Sequence, residues 1–217
     1  MQKVIHLMLM LIPTFLFGQA TERLTNKRTN ETYYVLKSDT TIRNGSYKKW
    51  AWTGKSHIEG YYKNGVKDSV WTFYDNLGRI AQKYDYTKKI LVLENEPINT
   101  IPIKIKALKG SDTVVVVLDK NPVCIGGFDI LGQAIFDDFK YTDSTQDINV
   151  RGFEYLGFMV DTNGRAVNYS ILKGLEPHLD RELLRFFKKL PSEWIPGVLN
   201  GRKVDVPYTL PIRVGFF

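Results

Sequence analysis

The sequence predicts an α+β protein in two parts, a β-rich module of repeated hairpins followed by a domain with the order β-β-α-β. Three observations lead to this prediction. Glycine and aromatic residues recur at short, regular spacing within residues 33–96. Apolar residues at helical spacing run from Leu179 to Leu190. A final run from Val204 to Val214 alternates apolar and other side chains at every step, as a half-buried strand does.

The chain begins with the pattern of a secretory signal peptide. Lys3 is the only charged side chain before a largely apolar run from Val4 to Phe17, and small or polar residues end that run. The run is shorter than the roughly 20 apolar residues that a helix needs to span a bilayer. We therefore expect a leader over residues 1–19, a loose N-terminus over residues 20–32, and export to the periplasm or the outer membrane.

The composition excludes several classes of protein. Hydrophobic residues make up 43% of the 217 residues and aromatic residues 13%, which is enough to bury a core and argues against disorder. The net charge of +7 falls to +6 once Lys3 leaves with the leader, and outside the cytoplasm such a charge does not indicate nucleic acid as a partner. Cys124 is the only cysteine, so an intramolecular disulfide is impossible.

Residues 33–96 contain an internal repeat. The stretch from Gly45 to Lys49 returns 15 residues later as Gly60 to Asn64, with glycine and aromatic residues at matching positions. The Asn64-Gly65 dipeptide is typical of two-residue hairpin turns, and the residues from Val70 to Tyr74 have the composition of a strand. These features predict stacked β-hairpins, and they resemble the MORN-like variant repeat over two or three units.

Residues 97–217 form the second predicted unit. Two prolines within residues 97–102 mark its boundary, and strands are predicted from Ile101 to Leu108 and from Thr113 to Leu118. The run from Val114 to Val117 has no polar residue, which is typical of a strand covered on both faces. After these strands come a helix that follows Gly126 and Gly127, strands from Phe153 to Asp161 and from Arg165 to Leu172, a helix from Leu179 to Leu190, an irregular segment over residues 191–201, and the final strand.

The last third of the chain resembles the C-terminal domain of TonB, the energy transducer of Gram-negative envelopes. Its most specific features are the Trp194-Ile195-Pro196-Gly197 step and the Leu210-Pro211-Ile212 ending. The segment from Pro122 to Gly127 resembles an extension that precedes this domain in many Bacteroidota members. The residues that carry the resemblance as motifs are Gly126, Gly127, Trp194, Pro196, Gly197 and Pro211.

The resemblance implies a non-enzymatic protein that binds other proteins in the periplasm, with TonB-dependent outer-membrane receptors as the expected partners. In that family a membrane helix and a long proline-rich linker precede the domain. This chain has a short leader and a repeat module in their place, which leaves energy transduction open. An alternative from another class is an envelope protein that binds lipid or glycan through its repeat module.

The expected binding site is the edge of the last strand. An extended peptide can join an exposed sheet edge through main-chain hydrogen bonds. Pro207 and Pro211 have the same parity in the strand, and proline is tolerated at an edge where its missing N–H faces away from the sheet. We therefore expect an edge strand that is partly blunted against pairing. Its candidate partner-binding residues are Val204, Val206, Tyr208, Leu210 and Ile212.

The sequence predicts no catalytic, cofactor or metal site. It contains no phosphate-binding glycine loop, no serine-hydrolase motif and no histidine or cysteine pairs at metal-binding spacing. Cys124 has no base nearby in the sequence and is interpreted as buried and inert. Aromatic residues and lysines of the repeat module could form a face for anionic lipid or glycan, but we favour an interpretation in which about half of the rings form its core. The oligomeric state stays open.

Overall fold

The computed structural model of the protein describes residues 19–51, 53–95, 103–109, 112–139, 150–190 and 193–215. The predicted leader up to residue 18 and the proline-containing boundary at residues 97–102 lie outside these ranges. Within them the protein is rich in strands and has two helices, so the predicted α+β class is confirmed. The helices are α1 (Gly127–Asp138) and α2 (Pro177–Lys189).

The N-terminal part of the described chain forms a seven-stranded antiparallel sheet in which each strand pairs with the next one along the chain. Tight turns make this order possible. At the predicted Asn64-Gly65 turn both residues have positive φ, 50° and 81°, as a two-residue hairpin requires. The strands are β1 (Thr21–Asn26), β2 (Glu31–Leu36), β3 (Asp39–Trp50), β4 (Ser56–Lys63), β5 (Val66–Tyr74), β6 (Ile80–Asp85) and β7 (Ile90–Glu94).

The polar composition of residues 20–32 predicts a loose N-terminus, and here the structure differs. β1 pairs along its whole length with β2. Asn26 holds the turn between them, because its Oδ1 accepts hydrogen bonds from the backbone N–H groups of Arg28 and Thr29 at 3.0 and 3.4 Å. An edge strand can be mostly polar when it buries little surface. The polar sequence of β1 therefore gives no alternation of apolar residues from which a strand could be predicted.

The C-terminal part is built around a three-stranded antiparallel sheet in which the first of the three strands along the chain lies in the centre. The other strands of this part form three short two-stranded ladders. In order the strands are β8 (Lys104–Lys109), β9 (Asp112–Val117), β10 (Val123–Cys124), β11 (Gly152–Val160), β12 (Ala166–Lys173), β13 (Trp194–Ile195), β14 (Gly197–Leu199), β15 (Arg202–Val204) and β16 (Val206–Val214).

α2 supplies one side of the core of the C-terminal part. It begins with Pro177, a residue suited to the first helical position, and the side chain of Glu176 accepts a hydrogen bond from the N–H of Leu179 at 2.8 Å. Its apolar stripe buries Leu179, Leu183 and Phe187. These side chains pack with the even-numbered residues of the central strand, among them Leu156, Phe158 and Val160.

Two segments of the C-terminal part differ from their predicted structure. Residues 191–201 are predicted to be irregular, but residues 194–204 form β13 and the β14–β15 hairpin around a turn at Asn200 and Gly201. Strands this short have too few residues for a periodic signal. The valine run in β9 is predicted to be covered on both faces, but Val115 is 65% exposed and Val117 is 49% exposed. Val114 and Val116 are half-buried, so only one face of the strand is partly covered.

The two parts of the chain pack against each other. Ile125, Ile130 and Ile195 of the C-terminal part lie against an aromatic cluster on the seven-stranded sheet. Glu193, just before β13, adds a polar contact: its Oε2 accepts hydrogen bonds from Lys67 Nζ at 2.7 Å and from the Tyr86 hydroxyl at 2.6 Å. The seven-stranded sheet therefore supports the segment that leads into the final strands.

Gln82 on β6 is buried in the contact between the seven-stranded sheet and the C-terminal part, and its side chain bonds across it. Its side chain is 2% exposed, its Nε2 donates to the carbonyl of Cys124 at 3.2 Å, and its Oε1 accepts from the N–H of Gly126 at 2.6 Å. A backbone group that is buried without a partner costs about 1–3 kcal/mol. Gln82 thus satisfies two such groups at the turn before α1.

We expect Gln82→Ala to lower the free energy of unfolding by about 2–4 kcal/mol, because it leaves the Cys124 carbonyl and the Gly126 N–H without partners. Urea denaturation followed by circular dichroism measures this loss. Asn76→Ala removes an exposed amide side chain and is the control, with an expected change within about 0.5 kcal/mol. Equal midpoints for the two variants would show that Gln82 does not hold the contact.

Candidate functional site

β16 is an edge strand of the three-stranded sheet. It pairs with β11 without interruption, from Val206 opposite Val160 to Val214 opposite Gly152. Among the described strands it has no partner on its other side. We call the side of β16 that faces away from β11, over residues 206–214, the β16 edge; no described strand lies beside it.

The prolines determine which main-chain groups the β16 edge presents. Pro207 and Pro211 lie opposite Met159 and Tyr155 in the ladder, and proline has no N–H to donate. They therefore take the pairs that are not hydrogen-bonded to β11, and Thr209, of the same parity, directs its N–H outward. The edge keeps the outward carbonyls of the odd-numbered residues, but of the donors between residues 207 and 213 it keeps only Thr209 and Arg213.

The side chains of the five predicted partner-binding residues are buried or half-buried and do not lie at the open edge. Val206 is fully buried, Ile212 is 8% exposed, and Tyr208 and Leu210 pack against the core. The Tyr208 ring lies 5.2 Å from Trp194 and 5.4 Å from Phe158, measured between ring centroids. Val204 is half-buried at the end of β15. A strand added at the β16 edge would therefore meet neither these side chains nor the main-chain groups of the even-numbered residues, which pair with β11. It would meet the main chain of the odd-numbered residues.

The side chains that share the other face of β16 are the odd-numbered ones, and all of them are exposed. This set was not predicted from the apolar residues of the strand, although the same alternation of side chains indicates it. Thr209 and Arg213 combine an exposed side chain with an outward N–H, which makes them the residues best placed to contact a partner. The exposed residues of β16 are Pro207, Thr209, Pro211 and Arg213.

The motif residues of the C-terminal part lie in the turns and the packing around β16. Trp194 is 4% exposed and pairs with Cys124 in the β10–β13 ladder. Gly197 allows close packing, because a Cβ there would come within 2.6 Å of Val206 Cγ2. Gly126 and Gly127 have φ of +97° and +78° at the turn into α1, a conformation that favours glycine. Pro196 is buried, and Pro211 lies on β16 itself.

Cys124 has the environment of an unreactive thiol. It is 5% exposed, and burial raises the pKa of its thiol to about 12. A cysteine acts as a nucleophile through its thiolate, which this pKa suppresses at neutral pH. Among the described residues no group of three or more histidine, cysteine, aspartate or glutamate side chains is arranged to hold a metal ion.

Some aromatic residues of the seven-stranded sheet form a buried cluster, while most of the others are half-buried and Tyr61 is 44% exposed. Tyr47, Trp71 and Phe73 are buried, and the rings of Tyr47 and Trp71 stack with centroids 5.3 Å apart. Lys67 covers this cluster, with its Nζ 5.2 Å from the centre of the Trp71 ring, so the protein's own cation occupies the aromatic face. Trp52, one of the predicted aromatic face, lies outside the described residues.

A buried acidic side chain that the sequence did not single out belongs to β11 itself. Glu154 has no exposed surface, and neither of its carboxyl oxygens makes a hydrogen bond of good geometry with a residue that the structure describes. Burial raises the pKa of Glu154 to about 7, with the nearby carboxylates of Asp180 and Glu176 acting in the same direction; the N–H of Leu175 lies close enough to offset part of this. The protonated form of Glu154 is thus favoured by folding.

The raised pKa makes stability depend on pH. An unfolded glutamate has a pKa of about 4.3, so the folded state holds the extra proton between that value and about 7. The contribution of the Glu154 carboxyl to the free energy of unfolding is fully present below about pH 4 and is lost as the pH rises through about 7. We expect Glu154→Gln, which cannot ionise, to be more stable than the native protein at pH 8 by about 2–3 kcal/mol, and by much less at pH 5.

The check is urea denaturation of both proteins at pH 5 and pH 8. Glu22→Gln, which changes an exposed carboxyl on β1, is the matched control and is expected to show no such difference. An advantage of Glu154→Gln that is equal at the two pH values would mean that Glu154 does not titrate in this range.

Within the described residues, neither helix has the length and hydrophobicity that crossing a membrane demands.

Comparison with known proteins identifies the C-terminal part. Residues 140–214 match the model of the family described as Gram-negative bacterial TonB protein C-terminal. No match was found among curated proteins or among solved structures. The matched range includes β11 to β16 and α2, so the chain carries a TonB C-terminal-like domain. This family works in energy transduction without catalysis, which indicates a TonB-like role in protein interaction at the cell envelope.

Proposed function

We propose, from the TonB C-terminal-like domain at residues 140–214, that the chain is an exported, non-enzymatic protein that binds a segment of another envelope protein as a strand on the β16 edge. The single observation that supports this most is the open edge itself, with its outward carbonyls and its two outward N–H groups at Thr209 and Arg213. Main-chain pairing of this kind is a general mode of peptide recognition.

We infer that the partner is a periplasmic segment of a TonB-dependent outer-membrane receptor. Binding of that segment would support or regulate transport. The MORN-like module, in this proposal, holds the C-terminal domain through Gln82 and Lys67 and does not itself select the partner. Its buried rings and its own lysine over Trp71 speak against the alternative role in lipid or glycan binding.

The test is isothermal titration calorimetry with the full chain after its leader and synthetic peptides that span the N-terminal segments of such receptors. We expect saturable binding of some of these peptides, and none of scrambled versions with the same composition. Binding to anionic vesicles or peptidoglycan together with no binding to any receptor peptide would contradict the proposal and favour the alternative.

Export is tested separately, by fractionation of the native host followed by N-terminal sequencing of the chain. We expect a mature chain that starts near residue 20 in the periplasmic or outer-membrane fraction. A chain that keeps residues 1–19 would contradict the predicted leader and revive the membrane-anchored transducer.

A further inference from the structure

A second open strand edge belongs to β7, the last strand of the seven-stranded sheet. Within the described residues β7 pairs with β6 and with no other strand. Lys89, Ile90, Leu91 and Glu94, at and just before β7, help to line a groove of about 840 Å³, and this volume is in the range of ligand sites in proteins. We call this the β7 groove; its two walls include Lys89, Ile90 and Leu91 on one side and Lys120, Val198 and Lys203 on the other.

The shape and the apolar surface of the β7 groove suit an extended chain. Five residues of β7 extend about 17 Å at 3.3–3.4 Å per residue, the length of a segment of five or six residues. Ile90, which lines the groove, is 49% exposed although it is a large apolar side chain. Leu91, Val198 and Pro196 add further apolar residues to the lining. An added strand would therefore find both main-chain partners and apolar surface.

Charge defines the kind of chain that fits. Lys89, Lys120 and Lys203 line the groove, are exposed, and form no ion pair with any described residue. Glu94 is the only acidic residue of the lining, and burial raises the pKa of its carboxyl. The lining therefore carries a net positive charge, which attracts an acidic partner and repels a basic one.

We propose that the β7 groove binds an extended acidic segment of another protein, which joins β7 as an eighth strand. The lysines contact the acidic side chains, and the open main chain of β7 supplies the hydrogen bonds. This surface belongs to a different sheet from the β16 edge, so it goes beyond the proposed function. The chain then holds two extended segments, one on each of its sheets.

The test is fluorescence anisotropy with the full chain after its leader. The probe is a fluorescein-labelled heptapeptide of alternating valine and glutamate, and the comparison peptide has lysine in place of glutamate. We expect the acidic peptide to bind and the lysine peptide to bind at least about tenfold more weakly. The triple variant Lys89→Glu, Lys120→Glu, Lys203→Glu is expected to weaken binding of the acidic peptide by about tenfold or more.

The matched control is Lys27→Glu, Lys37→Glu, Lys188→Glu, which makes the same change in net charge at exposed positions outside the groove lining. We expect it to keep most of the binding, and circular dichroism verifies that both triple variants fold. Equal loss in the two triple variants would show a general charge effect and overturn the proposal. Equal binding of the acidic and lysine peptides would do the same.

Amide hydrogen exchange locates the bound peptide. We expect exchange to slow in β7 on addition of the acidic peptide, while β1 at the opposite edge of the same sheet and β16 stay unchanged. Slowing at β16 would assign the peptide to the other edge and overturn the proposal. Protection of β7 that grows with protein concentration, without peptide, would make a second copy of the chain the occupant and would overturn it as well.

Discussion

Trp194→Ala is expected to lower the free energy of unfolding by about 3–5 kcal/mol, a large part of the 5–15 kcal/mol typical of folded domains. Trp194 is 4% exposed, and its ring lies 5.4 Å from Phe158 and 6.2 Å from Phe128 between ring centroids. Its removal leaves a cavity where β10, β13, α1 and β16 meet. Urea denaturation followed by far-ultraviolet circular dichroism measures the loss without relying on tryptophan fluorescence.

The loss at Trp194 should come from packing and not from hydrogen bonding. The buried Nε1 of Trp194 has no hydrogen-bond partner in the structure. Trp194→Phe removes that unpaired N–H and keeps most of the ring, so we expect it to cost about 1.5 kcal/mol or less. Phe153→Ala is the control for aromatic truncation, because Phe153 is 50% exposed. A loss at Phe153 as large as that at Trp194 would contradict the packing explanation.

Proline substitutions on β16 should separate folding from binding. Thr209 is exposed and directs its N–H away from β11, so Thr209→Pro is expected to change stability by about 1 kcal/mol or less. A strand added at this edge, however, would no longer find the N–H of residue 209 as a donor and would clash with the proline ring. We expect receptor peptides to bind Thr209→Pro at least about tenfold more weakly, since a hydrogen bond lost at an interface with a steric clash costs 1.4 kcal/mol or more.

The neighbouring residue gives the contrasting result. Tyr208 lies opposite Phe158 in the ladder and packs in the core, so Tyr208→Pro breaks a hydrogen bond within the sheet and is expected to cost about 3 kcal/mol or more in stability. Thr209→Val keeps the N–H and is the control for the change of side chain. Full peptide affinity in Thr209→Pro would contradict binding at the β16 edge, and so would a tenfold loss in Thr209→Val.

Much of the secondary structure of the C-terminal domain can be predicted from the sequence, because it depends on patterns among residues that are close along the chain. The alternation from Val204 to Val214 identifies β16, and the common parity of the two prolines indicates that one side of the strand lacks a partner. The helical stripe gives α2 within two residues at its start and one at its end. These features depend only on neighbours along the chain, which a single sequence displays directly.

Contacts between residues that are far apart along the chain cannot be predicted in the same way. Gln82 and Gly126 are 44 residues apart, so nothing in the sequence shows that they meet. Glu154 lies between Phe153 and Tyr155, and its polarity suggests the solvent side of β11. The period of two nevertheless places it on the same face as Leu156, Phe158 and Val160, which are buried. Parity along the strand, and not residue type, was the available signal.

Amide exchange at the β16 edge tests the central claim most directly. The measurement compares the exchange rates of individual β16 amides, by nuclear magnetic resonance, with and without a bound receptor peptide. Strand addition predicts slower exchange at the outward N–H groups of Thr209 and Arg213, with little change at Tyr208 and Ile212, which already pair with β11. A saturating peptide that leaves the exchange of Thr209 and Arg213 unchanged would contradict the claim.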